Sequence, residues 1–185
     1  MVSIGCKIHY NLMNLRRVSF DYSAVIQKIK MSGAEAIIYG GYHPEASKLV
    51  TLLRKKKMDI TFISDDGVKD VTFIKVAGEY AEGVYATGPK DVSKNPLAIS
   101  ANEAHKKAFQ SDPGAFYLNA YTAALALLNA IEKAGSTDYD AVTKALKNEY
   151  VDTPLGKISF DERGDTIGAG FSMYQVQDGK YVEVK

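Results

Sequence analysis

The 185-residue sequence predicts an α/β fold with parallel sheets flanked by helices. Three observations carry that prediction. Strand-length apolar runs alternate with amphipathic stretches through the first third of the chain, in the order strand, helix, strand, helix, strand, which argues parallel strands joined by right-handed crossovers. Two of those strands end in polar, glycine-containing turns, Ile37-Ile38-Tyr39-Gly40-Gly41-Tyr42-His43-Pro44-Glu45 and Phe62-Ile63-Ser64-Asp65-Asp66-Gly67. Apolar residues make up 46% of the chain, enough to build a core.

The elements follow in order. Residues 2–10 alternate, with Val2, Ile4, Cys6, Ile8 and Tyr10 on one face, as a strand with one buried face does. Ser19 or Asp21 can cap a helix with apolar positions Tyr22, Val25, Ile26 and Ile29, ended by Gly33. A strand over 35–39 leads into a helix over 44–56. Pro44 suits its first turn, and Arg54-Lys55-Lys56-Lys57 complements the dipole at its end. A strand over 59–63, a short helix over 68–75 and a strand over 82–87, stopped by Gly88-Pro89, come next.

The texture changes after Pro89. A polar stretch over 90–95 precedes a helix from Pro96 to Gln110, which Asp112-Pro113-Gly114 breaks. A long helix over 115–134 carries a wide apolar stripe of Phe116, Ala120, Tyr121, Ala124, Leu127, Leu128 and Ile131. That stripe is too apolar to stay wet, so a partner chain is expected to help cover it. Asp138 caps a further helix to Asn148, and 155–160, 167–176 and 180–184 read as strands with hairpin-type turns between them.

Composition excludes several functions. A net charge of +1 provides no field for nucleic acid or an anionic membrane. No apolar run approaches the roughly 18 residues that suggest a membrane-spanning helix, and the N-terminus lacks the form of a signal peptide. One cysteine, Cys6, permits no internal disulfide. His9, His43 and His105 lie far apart without metal-ligand spacing, so neither a metal nor another cofactor is expected. No nucleophile elbow and no phosphate loop are present, which argues against an enzyme. Arg163-Gly164-Asp165 is better explained as a tight turn than as an adhesion tripeptide.

The two glycine-containing turns are the best place for a ligand, because loops at the carboxyl ends of neighbouring parallel strands form the binding edge of such sheets. One turn carries Tyr42 and His43, the other Asp65 and Asp66. An aromatic wall beside a carboxylate suits an ammonium group attached to an apolar side chain. Each residue also has a plainer reading: Asp65 and Asp66 as turn formers before Gly67, Tyr42 as the lid of the core, Phe116 as a core residue of its helix. Of the two acids, Asp65 is expected to face solvent and Asp66 to lie beside Tyr42.

A set of segments in fixed order resembles a known family. It includes Asp21-Tyr22-Ser23-Ala24, the Tyr39-to-Glu45 segment, Ser64-Asp65-Asp66-Gly67, Asp112-Pro113-Gly114-Ala115-Phe116, Tyr121-Thr122-Ala123-Ala124, Pro154-Leu155-Gly156 and Phe160-Asp161-Glu162-Arg163-Gly164-Asp165. Together they resemble the substrate-binding proteins of branched-chain amino acid ABC transporters, the Leu/Ile/Val-binding type of periplasmic binding protein. The resemblance implies a partial two-lobe fold with N-terminal lobe segments missing. Residues 1–89 and 171–185 would form one lobe remnant, the C-terminal one. Residues 90–170 would be the mostly helical remnant of the first lobe. By resemblance, Asp66 pairs with the ligand's ammonium, Tyr42 and Phe116 line the pocket, and His43 and Asp65 stand behind them. The implied partners are leucine, isoleucine or valine, a membrane permease, and further copies of the chain in a homo-oligomer; the implied location is the periplasm. Family members are much longer, so the chain reads as truncated, with the donors for the ligand's α-carboxylate absent. Lys57 stands where the family often has a glycine at a helix end, a costly exchange if the position is left-handed. The other reading is an interaction or regulatory remnant that oligomerises through an exposed sheet edge without binding amino acids.

Overall fold

The structure is a computed structural model describing residues 22–184. The strand expected over 2–10 and the caps Ser19 and Asp21 lie outside the described residues. The chain divides into two compact units, Met1–Tyr85 with Gln175–Tyr181, and Ala86–Tyr174 with Val182–Lys185.

The first unit contains α1 (Ser23–Ser32), β1 (Ala36–Tyr39), α2 (His43–Lys55), β2 (Thr61–Ser64) and α3 (Val71–Ala77). Gly33 closes α1 in the left-handed conformation, as its position after the apolar periodicity suggests. Helix α2 buries Ala46, Leu49, Val50 and Leu53, a stripe at helical spacing. It ends as expected within its basic run, and Lys57 is indeed left-handed, at φ 56°. Strand β2 starts two residues later than the apolar run. The Arg54 guanidinium takes the carbonyls of Met58 and Ile60, at 3.0 and 3.1 Å, and so ties this stretch to the end of α2. Helix α3 also starts late. Asp70 caps it by accepting from the Thr72 N–H at 2.7 Å, and the preceding residues 66–68 wind a separate 3-10 turn. The core comprises Ile26, Leu49, Val50, Leu53, Phe62, Val68, Phe73 and Val176, all buried.

Strand β3 (Tyr85–Pro89) runs through Gly88 and Pro89, where the sequence suggested a stop. Pro89 sits at the strand's last position, where it interrupts no further pairing. The larger sheet has the order β1-β2-β3-β7-β8, with β7 (Phe171–Gln177) and β8 (Lys180–Glu183). Strands β1 and β2 pair in parallel, with Tyr39 opposite Ser64.

The second unit contains α4 (Pro96–Phe109), α5 (Tyr117–Ala134), α6 (Tyr139–Asn148) and the antiparallel strands β4 (Val151–Thr153), β5 (Gly156–Phe160) and β6 (Thr166–Ile167). Asn95 serves two elements at once. Its Oδ1 caps α4 at the Leu97 N–H, while its Nδ2 donates to the carbonyls of Thr153 and Pro154. The single strand expected over 167–176 is split into β6 and β7. Gly168 has φ 95°, and a Cβ there would lie 2.1 Å from the Lys157 carbonyl oxygen, so the chain turns sharply against β5. The Arg163-Gly164-Asp165 segment is a turn, with Asp161 Oδ1 accepting from the N–H groups of Arg163 and Asp165.

Helix α5 departs furthest from its sequence reading. Its buried residues are the small ones, Thr122, Ala126 and Ala130. Most large members of the predicted stripe are open: Tyr121, Leu127 and Leu128 are 40, 48 and 63% exposed, Phe116 is 45% exposed and not a core residue, and Ile131 is half-buried. Small residues let a helix approach its neighbours closely. The Tyr117 hydroxyl reinforces this by donating to the Ala101 carbonyl of α4 at 2.9 Å. No helix among the described residues is long and apolar enough to cross a membrane.

Candidate functional site

The level pairing of β1 with β2 sets two turns side by side, because Tyr39 and Ser64 end their strands as partners. Residues 40–42 follow one strand and residues 65–67 the other. The Ser64 hydroxyl, buried, donates to the Tyr39 carbonyl at 3.2 Å and joins the two strand ends.

Asp65 connects the turns themselves. Its Oδ2 accepts from the Gly41 N–H on the neighbouring loop and its Oδ1 from the Gly67 N–H on its own, both at 3.2 Å. Asp65 is exposed, as a turn residue is expected to be, yet its carboxylate is engaged on both sides. The approach of the loops is close. A Cβ on Gly67 would lie 2.4 Å from the Gly41 carbonyl oxygen and 3.1 Å from Tyr42 Cδ1, so only glycine fits there without displacing backbone. The same distances put the Tyr42 ring against the backbone of Gly67, the residue after Asp66.

Asp66 opens the 3-10 turn and is half-buried. Among the described residues, its carboxylate takes part in no hydrogen bond or ion pair. Tyr42 is 56% exposed, with extended backbone before α2. His43, half-buried, begins α2, and Glu45 lies in its first turn, where a carboxylate meets the positive end of the helix dipole. Beneath the first loop sits Tyr39. Burial, reinforced by the charges of Glu45 and Asp65, pushes its phenol up to about 12, while a hydrogen bond with the Tyr42 backbone acts in the opposite direction. Its ring leaves no space for a side chain at Gly41, where a Cβ would lie 2.7 Å from the Tyr39 hydroxyl oxygen.

The arrangement therefore offers one carboxylate without a described partner and one aromatic face, on two loops locked by a second carboxylate. Phe116 belongs to the other unit, where it precedes α5 with its ring exposed. Sequence reasoning did not single out Tyr39, Ser64 or Gly67 as parts of this site. The available signal was positional, since each lies at a strand end or next to the paired acids. A groove of about 260 Å³ on the second unit is lined by Asp140, Thr143, Lys144, Lys147, Asn148 and Glu162, with no apolar or aromatic residue among them, and the Lys147 ammonium is already bound to Glu162. Among the described residues, no group of three or more His, Cys, Asp or Glu side chains could hold a metal ion.

Comparison with known proteins places the chain in a family. The profile of the family described as periplasmic binding protein matches residues 17–180. A leucine-, isoleucine-, valine-, threonine- and alanine-binding protein of Pseudomonas aeruginosa is 34% identical over 166 residues, which is 89% of this chain and 44% of the relative. A Leu/Ile/Val-binding protein homologue of Brucella melitensis is 36% identical over 88% of this chain and 44% of its own length. Among solved structures, the leucine-binding protein LivK of Thermotoga maritima superposes with a TM-score of 0.80 at 27% identity, covering 92% of this chain and 49% of that one. The chain thus spans less than half the length of the relatives it matches.

Proposed function

The chain belongs to the periplasmic binding protein family, and from that premise we propose that it is the solute-binding component, or part of one, of a branched-chain amino acid ABC transport system. The observation that supports the reading is the pair of locked loops, which puts the Tyr42 ring against the backbone of Gly67, the residue after the half-buried Asp66. Asp66 takes the ammonium of the amino acid in a charge-assisted hydrogen bond. The Tyr42 ring covers part of the aliphatic side chain, at roughly 25 cal/mol per Å². His43 and Asp65 support the Tyr42 and Asp66 turns. The chain performs no chemistry, and its working partner is a membrane permease reached from the periplasm.

We further assign residues 1–89 with 171–185 to one lobe and 90–170 to the other. Two boundaries of the compact units, at Tyr85 and Tyr174, fall within a few residues of these limits, while the units differ from the assignment in grouping Val182–Lys185 with Ala86–Tyr174.

Binding by this chain alone is weak. An amino acid is zwitterionic, and the loop pair supplies a partner for its ammonium only. An anionic group left without donors costs at least about 1–3 kcal/mol. At about 1.4 kcal/mol per decade, that is a tenfold to hundredfold loss of affinity. Calorimetry with leucine, isoleucine and valine is expected to give dissociation constants in the high micromolar range or weaker, and Asp66→Asn is expected to remove the signal. Native mass spectrometry that finds no bound amino acid at millimolar concentration would overturn the binding reading. Sub-micromolar binding would overturn the weak-site argument. The exposed stripe of α5 favours a second reading, in which the chain acts as an interaction module and forms a homo-oligomer. Light scattering that finds a monomer across concentration would remove that reading.

A further inference from the structure

We propose that the two adjacent acids divide the work, with Asp65 acting as a positioning residue that clamps the Tyr42 loop to the Asp66 loop while Asp66 is left open to a cationic ligand. The proposal rests on the amino-acid-binding reading for the role of Asp66 but not for the clamp itself.

The clamp follows from donor and acceptor counting. A carboxylate has two acceptor oxygens and no donor, and here each oxygen takes a backbone N–H from a different loop, Gly41 on one side and Gly67 on the other. The Ser64 hydroxyl lies 3.4 Å from Oδ1, while its shorter bond goes to the Tyr39 carbonyl. No other residue type of this length supplies two acceptors. An asparagine keeps one carbonyl oxygen and presents an NH₂ group to the second N–H, so it can hold one loop but not both. The loops meet where Gly67 leaves room for nothing beyond hydrogen, and the bridge fixes this separation. Loosening it moves the Tyr42 ring away from the residue next to Asp66.

The test uses amide hydrogen exchange by NMR on the ligand-free full chain, with Asp65→Asn, Asp65→Ala and Asp66→Asn. In Asp65→Ala the Gly41 and Gly67 amides are expected to exchange roughly tenfold to hundredfold faster, the scale of losing a hydrogen bond to a charged group. In Asp65→Asn one of the two amides is expected to keep its protection. In Asp66→Asn both are expected to be unchanged. Leucine titration forms the second arm: Asp65→Asn weakens binding several-fold and Asp66→Asn abolishes it. Asp65→Glu keeps both acceptors on a longer arm and is expected to restore protection in part, which separates the clamp from a general loss of folding. Unchanged exchange at Gly41 and Gly67 in Asp65→Ala overturns the clamp. Clamped amides in a protein that binds no leucine overturn only the binding reading.

Discussion

Helices α2 and α5 carry the same kind of sequence signal and treat it in opposite ways. Both have apolar residues at three- and four-residue spacing. Helix α2 buries its large ones, with Leu49, Val50 and Leu53 no more than 2% exposed. Helix α5 buries Thr122, Ala126 and Ala130 and leaves Leu127 and Leu128 in the open. Periodicity reveals that a helix has an apolar face, but the neighbours of the helix decide whether that face is the one covered. In the first unit α3 and the sheet supply the cover. In the second, the side chains that fit against the neighbouring elements are the small ones.

The largest test of this contrast is truncation. Leu53→Ala removes a buried side chain from a packed core and is expected to cost about 2–5 kcal/mol in chemical denaturation. Leu128→Ala at low protein concentration is expected to lie within about 0.5 kcal/mol of the parent. If Leu128→Ala proves as costly as Leu53→Ala, the α5 face is covered in solution and the two helices are alike after all. Repeating both at high concentration sharpens the point, because an oligomer built on α5 makes the Leu128 cost depend on concentration while the Leu53 cost stays fixed.

A second test sits at the loop pair. Gly67→Ala forces a Cβ to within 2.4 Å of a backbone oxygen, and backbone cannot swing aside as a flexible side chain does. The expected loss is about 1–3 kcal/mol, measured by denaturation together with the amide spectrum of residues 40–42. An equivalent substitution at Gly114, where an added Cβ meets nothing within 4 Å, is expected to cost much less.

Much of this was legible in the sequence, and the failures have physical causes. The alternation of strand and helix, the Gly33 cap and the break at residues 112–114 are local events, decided by a few neighbouring residues. The late starts of β2 and α3 were not legible, because they depend on the choice Arg54 and Asp70 make among nearby backbone groups. The site divides in the same way. Tyr42, Asp65 and Asp66 could be named from their strand-end turns. The Asp65-to-Gly41 bond spans 24 residues and depends on the register of two strands, which no local pattern states. The exposed ring of Phe116 rules out its plainer reading as a core residue, for the reason that applies to α5 as a whole.

Alkaline stability offers a third, smaller contrast. Three tyrosines of the first unit, Tyr22, Tyr39 and Tyr181, have phenols raised above their ordinary value, chiefly by burial. In the second unit, among the described residues, Tyr174 alone shows such a rise. An unfolded phenol titrates near about 10. Above that pH the unfolded chain has released a proton that the folded chain still holds, so the slope of stability with pH is negative. For Tyr39 the contribution is complete below about pH 10 and is lost as pH climbs toward about 12. Melting curves between these values are expected to destabilise the first unit more than the second, and Tyr39→Phe is expected to reduce that difference. Equal loss in both units would break the contrast.

The smallest expected effect compares two helix ends. Lys57 follows α2 with φ 56°, and Gln110 closes α4 with φ 53°. Both are non-glycine residues in the left-handed region, where a Cβ crowds the following carbonyl at a cost of roughly 1–2 kcal/mol. Glycine removes that strain but gives part of the gain back through a freer unfolded chain, so the net benefit is about 0.5–1 kcal/mol. The two sites are not equivalent. The Gln110 side chain donates to the Lys107 carbonyl at 3.0 Å, and that bond is lost with the side chain. The structure records no comparable side-chain bond at Lys57 among the described residues, and the backbone N–H of Lys57, already on the Arg54 carbonyl at 2.8 Å, survives the exchange. Lys57→Gly is therefore expected to stabilise its unit by more than Gln110→Gly stabilises the other, and thermal denaturation of the two single variants decides it. A gain at Gln110 larger than that at Lys57 would mean that the bond to Lys107 contributes nothing and that helix-end strain is greater in the second unit.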